Sequence, residues 1–290
     1  MSQQYQESTV LPHTSTTATP SAQAAEDALL YRLAACRWEN HHAHHPPLLA
    51  NLPWQAPAGM EEYLQATKLC NFDHPTLCAK AAEIVADAPT PQQAAMRIFT
   101  FVRDQIRFGL IHPVDETALM TLERGIGQCS AKSNLQVALL RAAQIPARFH
   151  LAAVDARCLH GLVSPLLSRF TAGDLWHPWA EVYLDGQWRA CDSLFDRALY
   201  FSALQQGIIQ AAQIPSIDWD GIEDQLLLEP WIVEEVGIFA SLEAALAQMP
   251  KEMVPPKALA RLAFAYSNRY TARLRRRGNA VSSEESTRQQ

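Results

Sequence analysis

Residues 177–192 read HPWAEVYLDGQWRACD, and the central Asp-Gly pair predicts a β-hairpin with a two-residue turn. With such a turn, Trp179 lies opposite Asp192 on the neighbouring strand. Because side chains alternate along a strand, His177 shares the face of Trp179 and lies diagonal to Asp192. Diagonal residues are roughly 7–8 Å apart, a separation that an imidazole and a carboxylate can bridge. The hairpin therefore predicts a hydrogen bond between His177 and Asp192.

Such a pair has a specific chemical use. The aspartate fixes the tautomer of the imidazole and supports its positive form, and the imidazole then serves as base and acid toward a thiol. The alternative is a histidine that bonds a surface carboxylate and has no role in chemistry.

A thiol in a matching setting lies upstream, in the stretch GIGQCSAKSN (residues 125–134). Cys129 stands where a glycine-containing loop turns into a predicted helix, and the helix dipole and free N–H groups there favour a thiolate. Gly125 and Gly127 carry no side-chain bulk, so a substrate is expected to approach the sulfur closely. The N–H of Cys129 is available to a developing oxyanion. The alternative is an inert, buried cysteine at a helix start.

The stretch GQCSAKSNLQVALLRAAQIPARFH (residues 127–150), followed by the hairpin, resembles the transglutaminase-like cysteine superfamily, including its stand-alone bacterial members. In that family a cysteine opens a helix that ends in an R-A-x-x-I-P-A-R element, and an H-x-W-x-E-V-Y hairpin follows. The likeness covers about 90–196. It implies an α+β, papain-like fold with the nucleophile helix packed on an antiparallel sheet and flanking helices at both ends. By the same resemblance Cys129 is the nucleophile, His177 the general base and acid, and Asp192 the orienting carboxylate.

Further residues are candidates for supporting roles. Related enzymes use a second oxyanion donor upstream of the cysteine, and Gln128 is the candidate here. Trp179 is a candidate wall of the substrate cleft, or else a core residue. Arg141 and Arg148 fit the family pattern, and we expect them to pair with carboxylates that hold helix to strand.

Composition excludes several classes of protein. With 290 residues and 48% hydrophobic content the chain is expected to be globular, and its net charge of −6 argues against nucleic-acid binding. The N-terminal sequence has no basic region and no apolar run, which predicts neither signal peptide nor membrane anchor and a cytoplasmic location. The six cysteines form no CxxC pair and are interpreted as free thiols. No cofactor is expected.

The chain is predicted to have four regions: a disordered tail at 1–22, an N-terminal helix and Pro/His-rich connector at 23–59, a catalytic domain with C-terminal helices at 60–276, and a basic, polar tail at 277–290. No metal site is expected at the clustered histidines His41, His42, His44 and His45, because no carboxylate or cysteine at ligand spacing completes a site. Helices are predicted at 60–70, 74–88 and 90–109, a strand at 147–154, and a mainly helical remainder. Segment 228–239 is interpreted as a packing element with no role in chemistry, and the alternative is a segment that folds over the hairpin.

A thiolate, an imidazole and a carboxylate assembled in this way perform acyl transfer through a thioester acyl-enzyme. A protease-like or amidase-like hydrolase acting on a peptide or amide is the first hypothesis, and an amide synthase that uses a carrier-bound acyl thioester is the alternative. For the latter, a C-terminal arginine cluster is either a dock for an acidic carrier protein or a solvated helix end. The cluster comprises Arg269, Arg273, Arg275, Arg276 and Arg277. A third hypothesis is a non-catalytic binding module with the same fold.

Overall fold

The structure is a computed structural model, and it describes residue 49 and residues 52–111, 116–170, 173–214, 216–249 and 257–288. Two compact units divide the chain, Met1–His44 and His45–Gln290, and every described residue lies in the second. The predicted tail at 1–22, the N-terminal helix and the four clustered histidines lie outside the described residues.

The described part of the chain contains helices and strands in alternating groups. The helices are α1 (Pro75–Val85), α2 (Pro91–Gln105), α3 (Ala118–Arg124), α4 (Cys129–Ala142), α5 (Pro165–Phe170), α6 (Arg197–Gln205), α7 (Leu242–Leu246) and α8 (Lys257–Arg288). The strands are β1 (Arg107–Phe108), β2 (Ile126–Gly127), β3 (Ala147–Asp155), β4 (Asp174–Leu184), β5 (Gln187–Cys191) and β6 (Ile232–Phe239). Short 3₁₀ turns occupy Glu61–Leu64, Ala156–Leu159 and Glu229–Trp231.

Helix α2 begins as its sequence predicts. The Thr90 side chain accepts a hydrogen bond from the backbone N–H of Gln93, and Pro91 occupies the first turn, where its missing N–H is not needed. The predicted helix at 60–70 is wrong beyond its first turn. There the Glu243 carboxylate binds the Leu69 N–H and the Thr67 hydroxyl, so these groups have tertiary partners instead of helical ones.

The main sheet has four antiparallel strands in the order β5-β4-β3-β6. The hairpin of β4 and β5 has the predicted register, with Tyr183 opposite Trp188. Asp185 and Gly186 turn the chain with φ values of 48° and 83°, the positive values that a type I′ turn requires. Strand β3 agrees with the predicted strand at 147–154. Strand β6 does not follow the prediction of a mainly helical remainder, because it forms by pairing with β3.

Helix α4 packs on β4 and β3 and is surrounded by α1, α2 and α3. Side chains such as Leu77, Ile98, Leu139, Phe149 and Val182 fill the space between these helices and the sheet, each with no exposed surface. The prediction of an α+β fold with a helix packed on an antiparallel sheet is confirmed. Helix α8 packs along α6 and continues to Arg288. The arginine cluster therefore lies within the helix, and the prediction that it lies at a helix end is wrong.

Candidate active site

Helix α4 presents Cys129 at its first position. Gln128 is the N-cap and gives no side-chain hydrogen bond to the helix, so the cap leaves the first backbone N–H groups without that partner. The Cys129 thiol is half-buried and donates to the carbonyl oxygen of Trp176 at 3.9 Å. A Cβ at Gly127 would lie 2.8 Å from the Ala131 side chain, so glycine is required there for packing against α4.

The structure brings His177 and Asp192 together as predicted. The His177 Nε2 atom lies 2.8 Å from the Asp192 Oδ2 atom, and the two residues are only 3% and 5% exposed. Burial alone would lower the pKa of His177, but the Asp192 carboxylate and a hydrogen bond with Cys129 raise it to about 10. His177 is therefore an imidazolium at neutral pH. Since Nε2 faces Asp192, Nδ1 is the ring nitrogen left for Cys129.

Asp192 is held in place by hydrogen bonds of its side chain and of its backbone N–H. Its Oδ1 atom accepts the N–H of Leu194 at 3.1 Å, and its own N–H donates to Gln225, to the side-chain oxygen at 2.9 Å and to the backbone oxygen at 3.1 Å. Gln225 is buried, and its backbone forms an isolated parallel β-bridge with Cys191. Sequence reasoning missed Gln225, because it lies in a stretch with no motif and reaches the hairpin only in the fold.

The two cleft candidates lie in different surroundings. The Gln128 amide oxygen accepts the N–H of Ile111 at 2.8 Å, whereas its nitrogen makes only a long contact of 3.5 Å with the Ser130 hydroxyl. The amide N–H groups of Gln128 are thus weakly engaged. Trp179 is 2% exposed and its ring stacks on His150 at 4.4 Å, with His177 at 5.8 Å. Trp179 is therefore a core residue behind the histidine and does not wall an open cleft.

The two arginines of the R-A-x-x-I-P-A-R element, Arg141 and Arg148, have different hydrogen-bond partners. Arg148 pairs with Glu181 at 2.6 Å, as expected, and its guanidinium lies 3.9 Å from the centre of the Trp188 ring. The hydrogen bonds of Arg141 go instead to backbone carbonyl oxygens, so the prediction of a carboxylate partner is wrong for this residue. The reason is its position on α4, where the guanidinium group faces backbone carbonyl groups of three separate chain segments.

Sequence reasoning also missed Lys132, one turn after Cys129 on α4. Its side chain is 1% exposed, and its ammonium group donates to the carbonyl oxygens of Arg103 and Ile106 at the end of α2. Burial lowers the pKa of Lys132 to about 7, although Asp196 acts in the opposite direction. The Cys-x-x-Lys spacing does not predict that this lysine is buried, because the carbonyl groups that accept its hydrogen bonds come from a different helix.

Lys132 and His177 are expected to have opposite effects on stability as the pH rises. Between about pH 7 and 10.5 unfolded Lys132 keeps a proton that the folded residue has lost, so this group makes the free energy of unfolding rise with pH. Between about pH 6.5 and 10 folded His177 keeps a proton that the unfolded residue has lost, which makes the free energy of unfolding fall with pH.

The Lys132→Met variant should therefore lose stability more steeply than the wild type between pH 7 and 9.5. One linked proton changes the free energy of unfolding by about 1.4 kcal/mol per pH unit. Urea unfolding at a series of pH values measures this slope, with Lys80→Met as a control on a more exposed lysine. Identical slopes in Lys132→Met and the wild type would contradict a depressed pKa at Lys132.

Across the described ranges, no group of three or more His, Cys, Asp or Glu side chains has an arrangement that would hold a metal ion. The helices in the same ranges include none with the length and apolar character needed to cross a bilayer.

A comparison with models of protein families supports the family resemblance. Residues 79–193 match the family model of the transglutaminase-like superfamily, and this range contains both α4 and the hairpin. A search of the curated proteins finds no match. Among solved structures, the chain is similar to a protein from Cytophaga hutchinsonii classed provisionally as a cysteine protease, with 18% identity, a TM-score of 0.37, and coverage of 53% of this chain and 47% of the other. It is also similar to red sea bream transglutaminase, with 14% identity, a TM-score of 0.34, and coverage of 68% and 33%. The chain thus spans under half the length of each protein, and the assignment depends on the family model.

Proposed function

Because residues 79–193 carry a transglutaminase-like core, we propose that this protein is a cysteine-dependent acyl-transfer enzyme with Cys129 as its nucleophile. In this proposal His177 is the general base and acid, and Asp192 orients the imidazole. The observation that carries the proposal is the buried His177–Asp192 hydrogen bond of 2.8 Å beside the Cys129 thiol.

The first half of the reaction forms a thioester. The Cys129 thiolate, paired with the His177 imidazolium, attacks the carbonyl carbon of an amide, peptide or thioester and gives a tetrahedral oxyanion. The backbone N–H of Cys129 at the start of α4 stabilises this oxyanion, and the weakly engaged amide nitrogen of Gln128 is the proposed second donor. The carbon then releases its leaving group, which takes the proton from His177.

The second half returns the free enzyme. His177, now neutral, removes a proton from the incoming acceptor, and the acceptor attacks the thioester and expels the Cys129 thiolate. Water as acceptor gives a protease-like or amidase-like hydrolase, which is the reaction that we propose first. An amine as acceptor gives amide synthesis or exchange from the same intermediate.

The test needs no substrate: it is the pH dependence of alkylation at each cysteine, measured by mass spectrometry. Burial raises the pKa of four other cysteines, which should therefore react slowly at neutral pH. These are Cys70, with a pKa of about 11, Cys158, with a pKa of about 12, Cys78 and Cys191. Cys129 is expected to react at least tenfold faster than these at pH 7, since its sulfur is only half-buried and lies at the start of α4 beside His177.

The His177→Ala variant should lose the fast reaction of Cys129. His74→Asn is the matched control, because His74 caps α1 and asparagine is also a good N-cap. If Cys129 reacts like the buried thiols in the wild type and in both variants, the enzyme proposal fails. The alternative of a non-catalytic module with the same fold would then take its place.

The second candidate, an amide synthase supplied by a carrier protein, has support from α8. Arg269, Arg273 and Arg276 are exposed and spaced so that they lie along one side of the helix. Arg275 differs, because it is half-buried and pairs with Asp196. We propose that the three exposed arginines form the carrier dock, and that Arg275 has a structural role.

A holo acyl carrier protein with a fluorescent label is the probe for this dock, and fluorescence anisotropy is the readout. Changing the three exposed arginines to alanine should weaken binding at least tenfold, and raising the salt from 50 to 300 mM should weaken wild-type binding in the same direction. Arg261→Ala, at an exposed position of the same helix, is the control. Equal affinity in the wild type and the triple variant would overturn the dock.

A further inference from the structure

The segment 109–111, which follows β1, is held between β2 and helix α8. On the β2 side, the Gly109 N–H donates to the Gly127 carbonyl oxygen at 3.1 Å. On the α8 side, the Asn268 amide binds both polar backbone groups of Leu110: its oxygen accepts the N–H at 2.7 Å, and its nitrogen donates to the carbonyl oxygen at 2.9 Å. A Cβ at Gly109 would lie 3.1 Å from the Asn268 oxygen, so glycine gives the helix room to come this close.

The next peptide group connects this segment to Gln128. The carbonyl of Leu110 and the N–H of Ile111 belong to one planar peptide unit, so holding one end sets the direction of the other. The Ile111 N–H donates to the amide oxygen of Gln128 at 2.8 Å. Asn268, this peptide unit and Gln128 thus form a chain of three amide groups joined by two hydrogen bonds.

This chain decides which end of the Gln128 amide is available. A backbone N–H can only donate, so the amide oxygen must face Ile111 and the amide nitrogen is turned to the other side. Among the described residues, that nitrogen makes only a long contact of 3.5 Å with the Ser130 hydroxyl. Hydrogen-bonded amides in series polarise one another, by roughly 10–30% per bond, so each bond in the chain makes the Gln128 N–H a stronger donor.

Other contacts dock α8 on either side of this chain. The Arg275 guanidinium donates to the Phe108 carbonyl oxygen at 2.7 Å, and the Tyr270 hydroxyl donates to the Gly161 carbonyl oxygen at 3.1 Å. These contacts remain when the Asn268 amide is removed. A variant at this position is therefore expected to break the chain of amides and to leave the helix in place.

We propose that Asn268 is a positioning residue for the candidate oxyanion site: through the Leu110–Ile111 peptide it directs and polarises the amide nitrogen of Gln128. The inference rests on the proposed function, because Gln128 acts as an oxyanion donor only where Cys129 attacks a carbonyl. Asn268 lies outside residues 79–193, the range that matches the family model. The oxyanion site of this chain thus depends on its own C-terminal helix.

The test compares two reactions of Cys129 in the full-length protein. Acetylation by p-nitrophenyl acetate passes through a tetrahedral oxyanion and releases p-nitrophenolate, whereas alkylation by iodoacetamide forms the carbon–sulfur bond as iodide leaves and has no oxyanion. Loss of one oxyanion donor costs about 10²- to 10³-fold in rate, so Asn268→Leu, which misdirects the donor, should slow acetylation at least tenfold. Its alkylation rate should stay within about twofold of the wild type, because the thiol itself is unchanged. Mass spectrometry at Cys129 measures both rates.

A double-mutant cycle separates positioning from a general structural effect. In the Gln128→Ala background, Asn268→Leu should slow acetylation by no more than about twofold, because the donor that Asn268 directs is already gone. Tyr270→Phe removes a neighbouring hydrogen bond of α8 and is the matched control, expected to change neither reaction. Asn268→Asp keeps an acceptor for the Leu110 N–H and removes only the donor to the carbonyl oxygen. It should show the same split with a smaller loss, and it replaces Asn268→Leu if that variant does not fold.

Three results would overturn the proposal while Cys129 still alkylates fast: additive losses in the cycle, an equal loss in both reactions, or acetylation of Asn268→Leu at the wild-type rate. Slow alkylation of Cys129 in the wild type has a different meaning, because the enzyme proposal then fails and the positioning role fails with it.

Discussion

The Asp192→Asn variant is expected to form the acyl-enzyme at Cys129 roughly 10²- to 10⁴-fold more slowly than the wild type. The carboxylate is what keeps His177 positively charged, since burial by itself lowers the pKa of this histidine. An asparagine removes that charge. If its amide N–H donates to Nε2, the imidazole is also forced into the tautomer that carries its proton on Nδ1, the nitrogen left for Cys129, so that nitrogen is no longer a base.

The measurement uses an activated ester, p-nitrophenyl acetate, and follows the acetylated protein by intact mass at pH 6 to 10. In the wild type the imidazolium persists to about pH 10, and in Asp192→Asn the charged form should disappear at a much lower pH. Asp174→Asn is the matched control, because Asp174 is an exposed aspartate at the first residue of β4. Equal acetylation rates in Asp192→Asn and the wild type would mean that Asp192 does not support His177.

The His177–Asp192 pair could be predicted from sequence because one local signal fixes it. The Asp-Gly turn sets the register of β4 against β5, and the period of two in a strand then sets the face of each side chain. The start of α4 was equally local, since glycines and a cysteine precede a helical segment. Each of these inferences needs only residues within a short stretch, and the fold changes none of them.

The contacts that support the site could not be predicted from the sequence, because they join residues that are far apart in the chain. Gln225 and Lys132 act through backbone groups of remote segments: Gln225 on Asp192, and Lys132 on the carbonyl oxygens of Arg103 and Ile106. No spacing in the sequence relates such partners. Their positions follow only from the complete packing of helices on the sheet.

Strand β6 was missed for a related reason. Its sequence, IVEEVGIF, places exposed glutamates side by side and does not alternate between apolar and polar residues. The register with β3 shifts at two places, which breaks the period of two that a strand prediction uses. Pairing with β3 decides the conformation of this segment, and its own residue preferences do not.

The Arg141→Met variant is expected to lower the free energy of unfolding by about 3–5 kcal/mol. Arg141 has no exposed surface, and its guanidinium donates to the carbonyl oxygens of Ala147, Gln65 and Ala240. Methionine fills a similar volume but leaves these three oxygens without their donor. Burial of the Arg141 guanidinium has a desolvation cost, which also lowers the pKa of this residue. Replacing the cation by methionine removes that cost, so the loss of unfolding free energy is smaller than the lost hydrogen bonds alone would cause.

Urea unfolding followed by circular dichroism measures the effect, with Arg261→Met on the exposed side of α8 as the control, expected to change stability by less than about 0.5 kcal/mol. Arg141→Lys separates charge from geometry. A lysine keeps the positive charge, but its single ammonium group replaces a planar fork that spans three chain segments, so it should recover only part of the loss. Full recovery by lysine would mean that the charge matters and the fork does not. A loss no larger than that of Arg261→Met would contradict the inference that Arg141 joins α4 to the start of β3 and to the segments before α1 and after β6.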